Sequence, residues 1–236
     1  MLLLGLETAT DICGVALLDE DVLVVSAEVA RPRAHAAHLV PLIRDVLAHA
    51  GATAADLGAV AVSAGPGSFT GLRIGVSTAK GLCAASGAAL VGVPTLEALA
   101  RAVLPAALPG DAVVAALPSR RGEVFAAAFD VEDGRLAPSG EVAALTHEDV
   151  AGWLPPNERL WLVGGAAESL AEVGRRPARL WPATASAVRV ARLGAERFRA
   201  GHLEDVAAFE PAYLKAFVAR PARPIFDGGG DKAGRP

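Results

Sequence analysis

Residues 58–75 read GAVAVSAGPGSFTGLRIG, an apolar run that enters a glycine-rich turn and continues into a helically patterned segment. A buried strand that feeds a tight turn and then a helix commits the surrounding chain to a layered α/β architecture. The same outline describes a phosphate-binding loop, because the N–H groups at a helix N-terminus attract anions. The details point elsewhere. No Gly-Lys-Ser/Thr follows, the glycine spacing misses the dinucleotide pattern by one residue, and Pro66 removes an N–H that a phosphate cradle would use. The spacing predicts a helix over 68–86 with Ser68 as its N-cap. Gly71 and Gly75 lie four apart on one side of it, with Thr78, Leu82 and Ala85 beyond them. Glycine inside a helix costs roughly 0.5–1 kcal/mol relative to alanine. Close packing against a helix or sheet is expected to offset that cost. The other side carries Phe69, Leu72, Arg73, Val76, Lys80 and Cys83, half apolar and half basic, and is read as turned to a partner.

The flanking sequence extends the α/β pattern. Apolar runs at 2–6, 12–18 and 22–29 predict three antiparallel strands in succession. Leu39, Leu42, Ile43, Val46 and Leu47 fall at i, i+3, i+4, i+7 and i+8, an amphipathic helix that Gly51 ends and Pro41 must enter early or kink. A strand over 88–93 follows the second helix, and Thr95 is expected to cap a third. Prolines cluster at 105–109, where a subdomain boundary is placed. Beyond it the pattern predicts strands at 112–117 and 123–131, an Asp133-Gly134 turn, another short strand, a helix near 147–153, a strand at 160–163 with a helix behind Gly164-Gly165, and a basic helix over about 185–200. The expected division is 1–104, 105–217 with its last helix packing back on the first unit, and a disordered tail over 218–236.

Charge and cysteine usage narrow the function classes. With 22 basic and 26 acidic residues the net charge is −4, so a chain that grips a polynucleotide by itself is not expected. Cys13 and Cys83 form neither a metal spacing nor a disulfide framework. The opening MLLLGLETAT is too short in its apolar run for a signal peptide, and no run of about 18 apolar residues occurs, so a cytoplasmic protein without a membrane span is expected.

Four places carry possible chemistry. Glu7-Thr8 lies between two strands and reads either as an acid holding hydrated Mg²⁺ or as a polar hairpin turn. The turn at 120–123 reads as an anion site or an ordinary charged turn, and Gly164-Gly165 as a seat for adenosine or a tight connection. His35 and His38 lack a third ligand and read as surface or interface residues. Ser63, Ser68 and Thr70 lack a nucleophile elbow and a partnered His or Asp, which argues against a serine hydrolase.

GPGSFTGLRIG at 65–75 closely resembles the signature of the TsaB (YeaZ) family. LLGLETATDICGVAL resembles that family's first strand pair, and RAHAAHLVPLIRDVL its first helix. Residues 120–124, 163–166 and 210–214 resemble its later landmarks, so the likeness spans about 2–217. The resemblance implies an actin-like, Hsp70-like (ASKHA) ribonuclease-H-like fold of two βββαβα-type subdomains. It implies a non-catalytic subunit of the assembly that forms N6-threonylcarbamoyladenosine beside the anticodon of tRNAs reading ANN codons. Such a subunit pairs with and activates the transferase TsaD, works with the ATPase TsaE, dimerises with itself when TsaD is absent, and meets tRNA through the complex. ATP and metal are then expected on the partners, with no cofactor, metal or catalytic residue on this chain.

The partner interface is expected at Leu39, Leu42, Ile43, Val46, Leu47, Phe69, Leu72, Arg73, Val76 and Lys80, with Gly71 and Gly75 serving close helix packing. Glu7, Thr8, Gly164 and Gly165 are the candidates for a vestigial nucleotide site. Active members of the superfold use a glycine where Ala9 stands and an acid where Pro118 stands, and Pro118 also departs from the family's own pattern. The alternative is a nucleotide-binding ASKHA-type kinase or ATPase. A protease is the third class, and neither a metal triad nor a nucleophile–base pair supports it.

Overall fold

The structure, a computed structural model, describes residues 1–119 and 122–213. The chain opens with β1 (Leu2–Glu7), β2 (Ile12–Asp19) and β3 (Val22–Ala30). Then come α1 (His35–His49), β4 (Leu57–Gly65), α2 (Phe69–Ser86), β5 (Ala89–Pro94) and α3 (Thr95–Ala100). The five strands form one sheet in the order β3-β2-β1-β4-β5, with β1 antiparallel to β2 and parallel to β4. Helices cover both faces of its centre, which is why β1 and β4 are apolar up to Glu7 and Ser63 near their ends rather than alternating.

The second half repeats this plan. β6 (Ala112–Pro118), β7 (Glu123–Glu132) and β8 (Arg135–Pro138) are joined by β9 (Ala143–Thr146) and α4 (His147–Trp153). β10 (Leu160–Val163), α5 (Ala167–Gly174), β11 (Arg179–Trp181) and α6 (Ala187–Arg199) complete it. The sheet order is β11-β10-β6-β7-β8, with β9 also paired to β7. Read from β8, it is the 3-2-1-4-5 order of the first sheet. Two such sheets make the actin-like, ribonuclease-H-like architecture expected from the sequence.

Two helices are exchanged between the halves. Leu96, Leu99, Ala100 and Val103, from α3 and the short helical turn behind it, pack with Val113, Ala115 and Phe129 of the second sheet. Ala187, Val190, Ala191 and Leu193 of α6 pack with Leu3, Ala61 and Val93 of the first. Small residues permit the approach. A Cβ on Gly194 would collide with Ala61, and one on Gly5 with Ala191. Each sheet's second face is therefore closed by the other half's last helix, and burial of these side chains joins the halves into one structure.

Most predicted elements are present, and Ser68 caps α2 by accepting a hydrogen bond from the Gly71 N–H. Thr95 differs. Pro94 is the N-cap of α3, and the Thr95 hydroxyl accepts from the N–H of Gly65 instead, tying β5 to β4. β9 and β11, only 4 and 3 residues long, carry too little pattern to be foreseen. Arg120, Arg121 and the tail over 218–236 lie outside the described residues.

Candidate functional site

The turns at the carboxyl ends of the central strands converge on a cleft of about 800 Å³ between the two sheets. One wall comes from Ala9–Ile12 and from Pro66–Thr70 with Leu72; the other from Leu117–Ser119, Glu123, Phe125 and Gly165. Thr184, Ala185, Ala212 and Tyr213 close the ends. The lining is chiefly apolar.

Glu7 sits at the end of β1 and is not among the residues lining this cleft. It is 1% exposed, and both carboxylate oxygens are engaged by the chain itself. Ser63 Oγ donates to Oε2 at 2.6 Å, and the Ala9 N–H donates to Oε1 at 2.7 Å. Burial dominates its chemistry and raises its pKa to about 7, the two hydrogen bonds pulling the other way. Thr8 is fully buried, and its Oγ1 has no hydrogen-bond partner.

The signature turn packs on that hairpin. A Cβ on Gly67 would strike the carbonyl oxygen of Ala9, one on Gly71 the carbonyl oxygen of Thr8, and one on Gly75 the Thr8 hydroxyl. The Ser68 N–H donates to the Ala9 oxygen at 2.7 Å. Gly71 and Gly75 thus make room for the β1–β2 turn, not for another helix or a sheet face. In the second half Gly164 has φ +105, and a Cβ there would meet the Ala116 carbonyl and the Leu99 side chain. Gly165 is exposed at the cleft beside Pro118.

The residues expected at a partner interface divide sharply. Leu39, Ile43, Val46, Leu47 and Val76 are 6% exposed or less and form one core cluster with the first sheet, so they face their own fold; Leu72 is 1% exposed and lies against the cleft. Leu42 is half-buried against the same cluster. The helical stripe marks a buried face, and the sheet of the same chain is what buries it. Lys80 is committed too. Its Nζ donates to the carbonyls of Ala207 at 2.8 Å and Phe209 at 3.1 Å, holding the segment after α6 against α2. Phe69 stacks on Tyr213 with centroids 4.9 Å apart, and Arg73 lies over the Phe69 ring at 5.5 Å. His35 is buried with Nε2 3.2 Å from the Ile12 carbonyl, so it anchors α1 to β2 rather than lying at the surface.

What α1 and α2 present outward is a groove of about 390 Å³ between them, rimmed by Ala36, Val40, Arg73, Ile74, Ser77 and Thr78. Val40 is 63% exposed. Reading the complement of each apolar stripe would have found Val40 and Ser77 in the sequence. Nothing local marks Tyr213, whose place on Phe69 depends on the path of the whole chain. Among the described residues no group of three or more His, Cys, Asp or Glu is placed to hold a metal, and no helix is long and apolar enough to cross a membrane.

Comparison with known proteins follows the same lines. The family model for TsaD, tRNA N6-adenosine threonylcarbamoyltransferase, matches residues 25–218. The tRNA threonylcarbamoyladenosine biosynthesis protein TsaB of Escherichia coli (strain K12) is 29% identical over 233 residues, covering 93% of this chain and 96% of that one. The protein of that name from Haemophilus influenzae is 36% identical over 123 residues, covering 52% and 51%. The solved structure of YeaZ from Pseudomonas aeruginosa superposes with a TM-score of 0.80 at 29% identity, covering 90% of this chain and 99% of that one.

Proposed function

The chain belongs to the family of the TsaD model and groups with its TsaB (YeaZ) proteins, and from that premise we propose that it is a non-catalytic subunit of the assembly that makes threonylcarbamoyladenosine in tRNA. It acts in the cytoplasm by docking on a TsaD homologue through the groove between α1 and α2, and so supports a transferase whose metal and nucleotide sit elsewhere. TsaE joins the same assembly, and tRNAs reading ANN codons are the substrates. The observation that carries this reading is the state of Glu7. The acid placed where the superfold positions phosphate and metal is sealed, with each oxygen already accepting a hydrogen bond from its own chain. The Ala9 side chain and Pro118 occupy the flanking positions, so the residues present do not fit a magnesium nucleotide at its phosphate end.

Co-expression with the cognate TsaD tests it. Val40→Asp and Ser77→Arg change only outward side chains, so the fold is retained while co-elution and tRNA modification fall. Normal co-elution with both variants would place the interface elsewhere. A second reading, an ASKHA-type kinase or ATPase, draws on the size of the cleft and on Gly165 at its edge. Titration calorimetry with ATP and Mg²⁺ separates the two, since micromolar binding with turnover by the isolated chain belongs to the kinase reading alone.

A further inference from the structure

We propose that Tyr213 is a positioning residue for the docking surface: through the Phe69 ring it holds the Arg73 guanidinium on the rim of the groove between α1 and α2, where it takes a carboxylate of the docked partner. The proposal rests on the assignment of that groove to a TsaD homologue. Of the residues lining the groove, Arg73 alone is an arginine, lysine, aspartate or glutamate. It is exposed, and no carboxylate among the described residues pairs with it. An exposed guanidinium on a flexible stem is ordinarily spread over many rotamers, and ordering it on binding lowers affinity. Here the fold orders it beforehand. Phe69 and Arg73 are four apart on α2, so their side chains lie on one helical face. The guanidinium carbon sits over the Phe69 ring, 5.5 Å from its centroid, a cation–π arrangement.

The order of Phe69 comes from the segment after α6. Its ring is half-buried at the first position of α2, and Tyr213 lies against it with the planes tilted by 39°. Backbone contacts deliver Tyr213 to this place. The Ala212 N–H donates to the Ala64 carbonyl at 2.8 Å, and a Cβ on Gly65 would meet the Ala212 oxygen, so the segment runs directly over the end of β4. Upstream, Lys80 fastens the Ala207 and Phe209 carbonyls to α2. The Tyr213 side of the stack stays open, with the residue 39% exposed. A ring that buries so little adds little to the fold. Its contact leads instead through Phe69 to Arg73, and so ties the segment after α6 to the rim of the groove.

The test uses the full chain and its cognate TsaD, reading the Kd of the pair by biolayer interferometry and the melting midpoint of the chain alone. Tyr213→Ala is expected to weaken the pair about fivefold, the scale of an exposed cation–π contact, with melting retained because backbone bonds hold the segment. Tyr213→Phe keeps a ring on Phe69 and is expected to bind as the parent does. Arg73→Ala weakens the pair by more, since the charge itself is gone. Adding Tyr213→Ala to Arg73→Ala then changes Kd no further, because the ring acts only through the guanidinium; a general loosening of the fold would add to the loss. Additive losses in that double variant overturn the proposal, as does a Tyr213→Phe chain as weak as Tyr213→Ala. Normal binding by Tyr213→Ala while Val40→Asp and Ser77→Arg still disrupt the pair keeps the groove as the interface and removes Tyr213 from it. Normal binding by Val40→Asp, Ser77→Arg and Arg73→Ala alike removes the groove itself, and the proposal with it.

Discussion

The turns after β4 and β10 occupy equivalent places in the two halves, since each follows the fourth strand of a 3-2-1-4-5 sheet and starts a helix. They have opposite surroundings. After β4 the glycines are filled from outside by the Thr8–Ala9 turn, and the acid that might have faced a ligand is buried behind them. After β10 Gly164 combines positive φ with a close approach to the Ala116 carbonyl, while Gly165 stays exposed on the cleft. The lesson is that a strand–glycine–helix outline has two physical causes, close packing or open backbone. The atom against the missing Cβ tells them apart.

The largest test of that contrast is Val76→Arg. Val76 is 4% exposed on the inner side of the helix that the first turn begins, so an arginine there is a buried unpaired charge costing upwards of about 4 kcal/mol. Loss of cooperative melting is expected, whereas Ser77→Arg one position along melts normally. A folded Val76→Arg chain would return that face to the partner. Next in size is Gly71→Ala. Its Cβ meets backbone oxygen that cannot swing aside, and the overpacking cost of about 3 kcal/mol outweighs the gain in helix propensity, read as a lower denaturation midpoint.

Glu7→Gln probes the seal by pH. The folded pKa of Glu7 is raised from 4.5 to about 7, so folding favours the neutral carboxyl. Its contribution is complete below pH 4.5 and is lost as pH rises through 7, a swing of roughly 3 kcal/mol by pH 8. Glutamine stays neutral, so the variant should gain on the parent protein across that window, and parallel stability curves would mean Glu7 is not sealed. The smallest effect belongs to the other turn. Gly165→Ala has only Pro118 at 3.3 Å to accommodate, and a change under about 0.5 kcal/mol is expected in a melt.

How far the sequence could be read follows from where each signal lies. Ser68, its Gly71 contact and the α1 stripe are local, and they identify the cap, the helices and their buried faces. The stripe says that Leu39 to Leu47 are covered, but a period of 3.6 residues is the same whether a foreign surface or the chain's own sheet covers them. The stripe by itself therefore does not assign them to a partner, and exposed Val40 carries no periodic mark. Lys80 reads in the sequence as an interface cation, and only the fold brings the Phe209 carbonyl within its reach.

The sequence by itself determined the α/β order, the Ser68 start of α2, the glycines at 71 and 75 as points of close approach, and the family. These depend on backbone chemistry and on patterns a few residues long. Only the tertiary structure decided what meets what. Thr8 lies against Gly71 and Gly75, Ser63 reaches Glu7 from 56 positions away, and α3 and α6 each close the other half's sheet. The physical reason is that apolar burial is non-directional: it requires a face to be covered without naming the cover. The choice falls to shape, and here to where a missing Cβ lets one backbone come close to another.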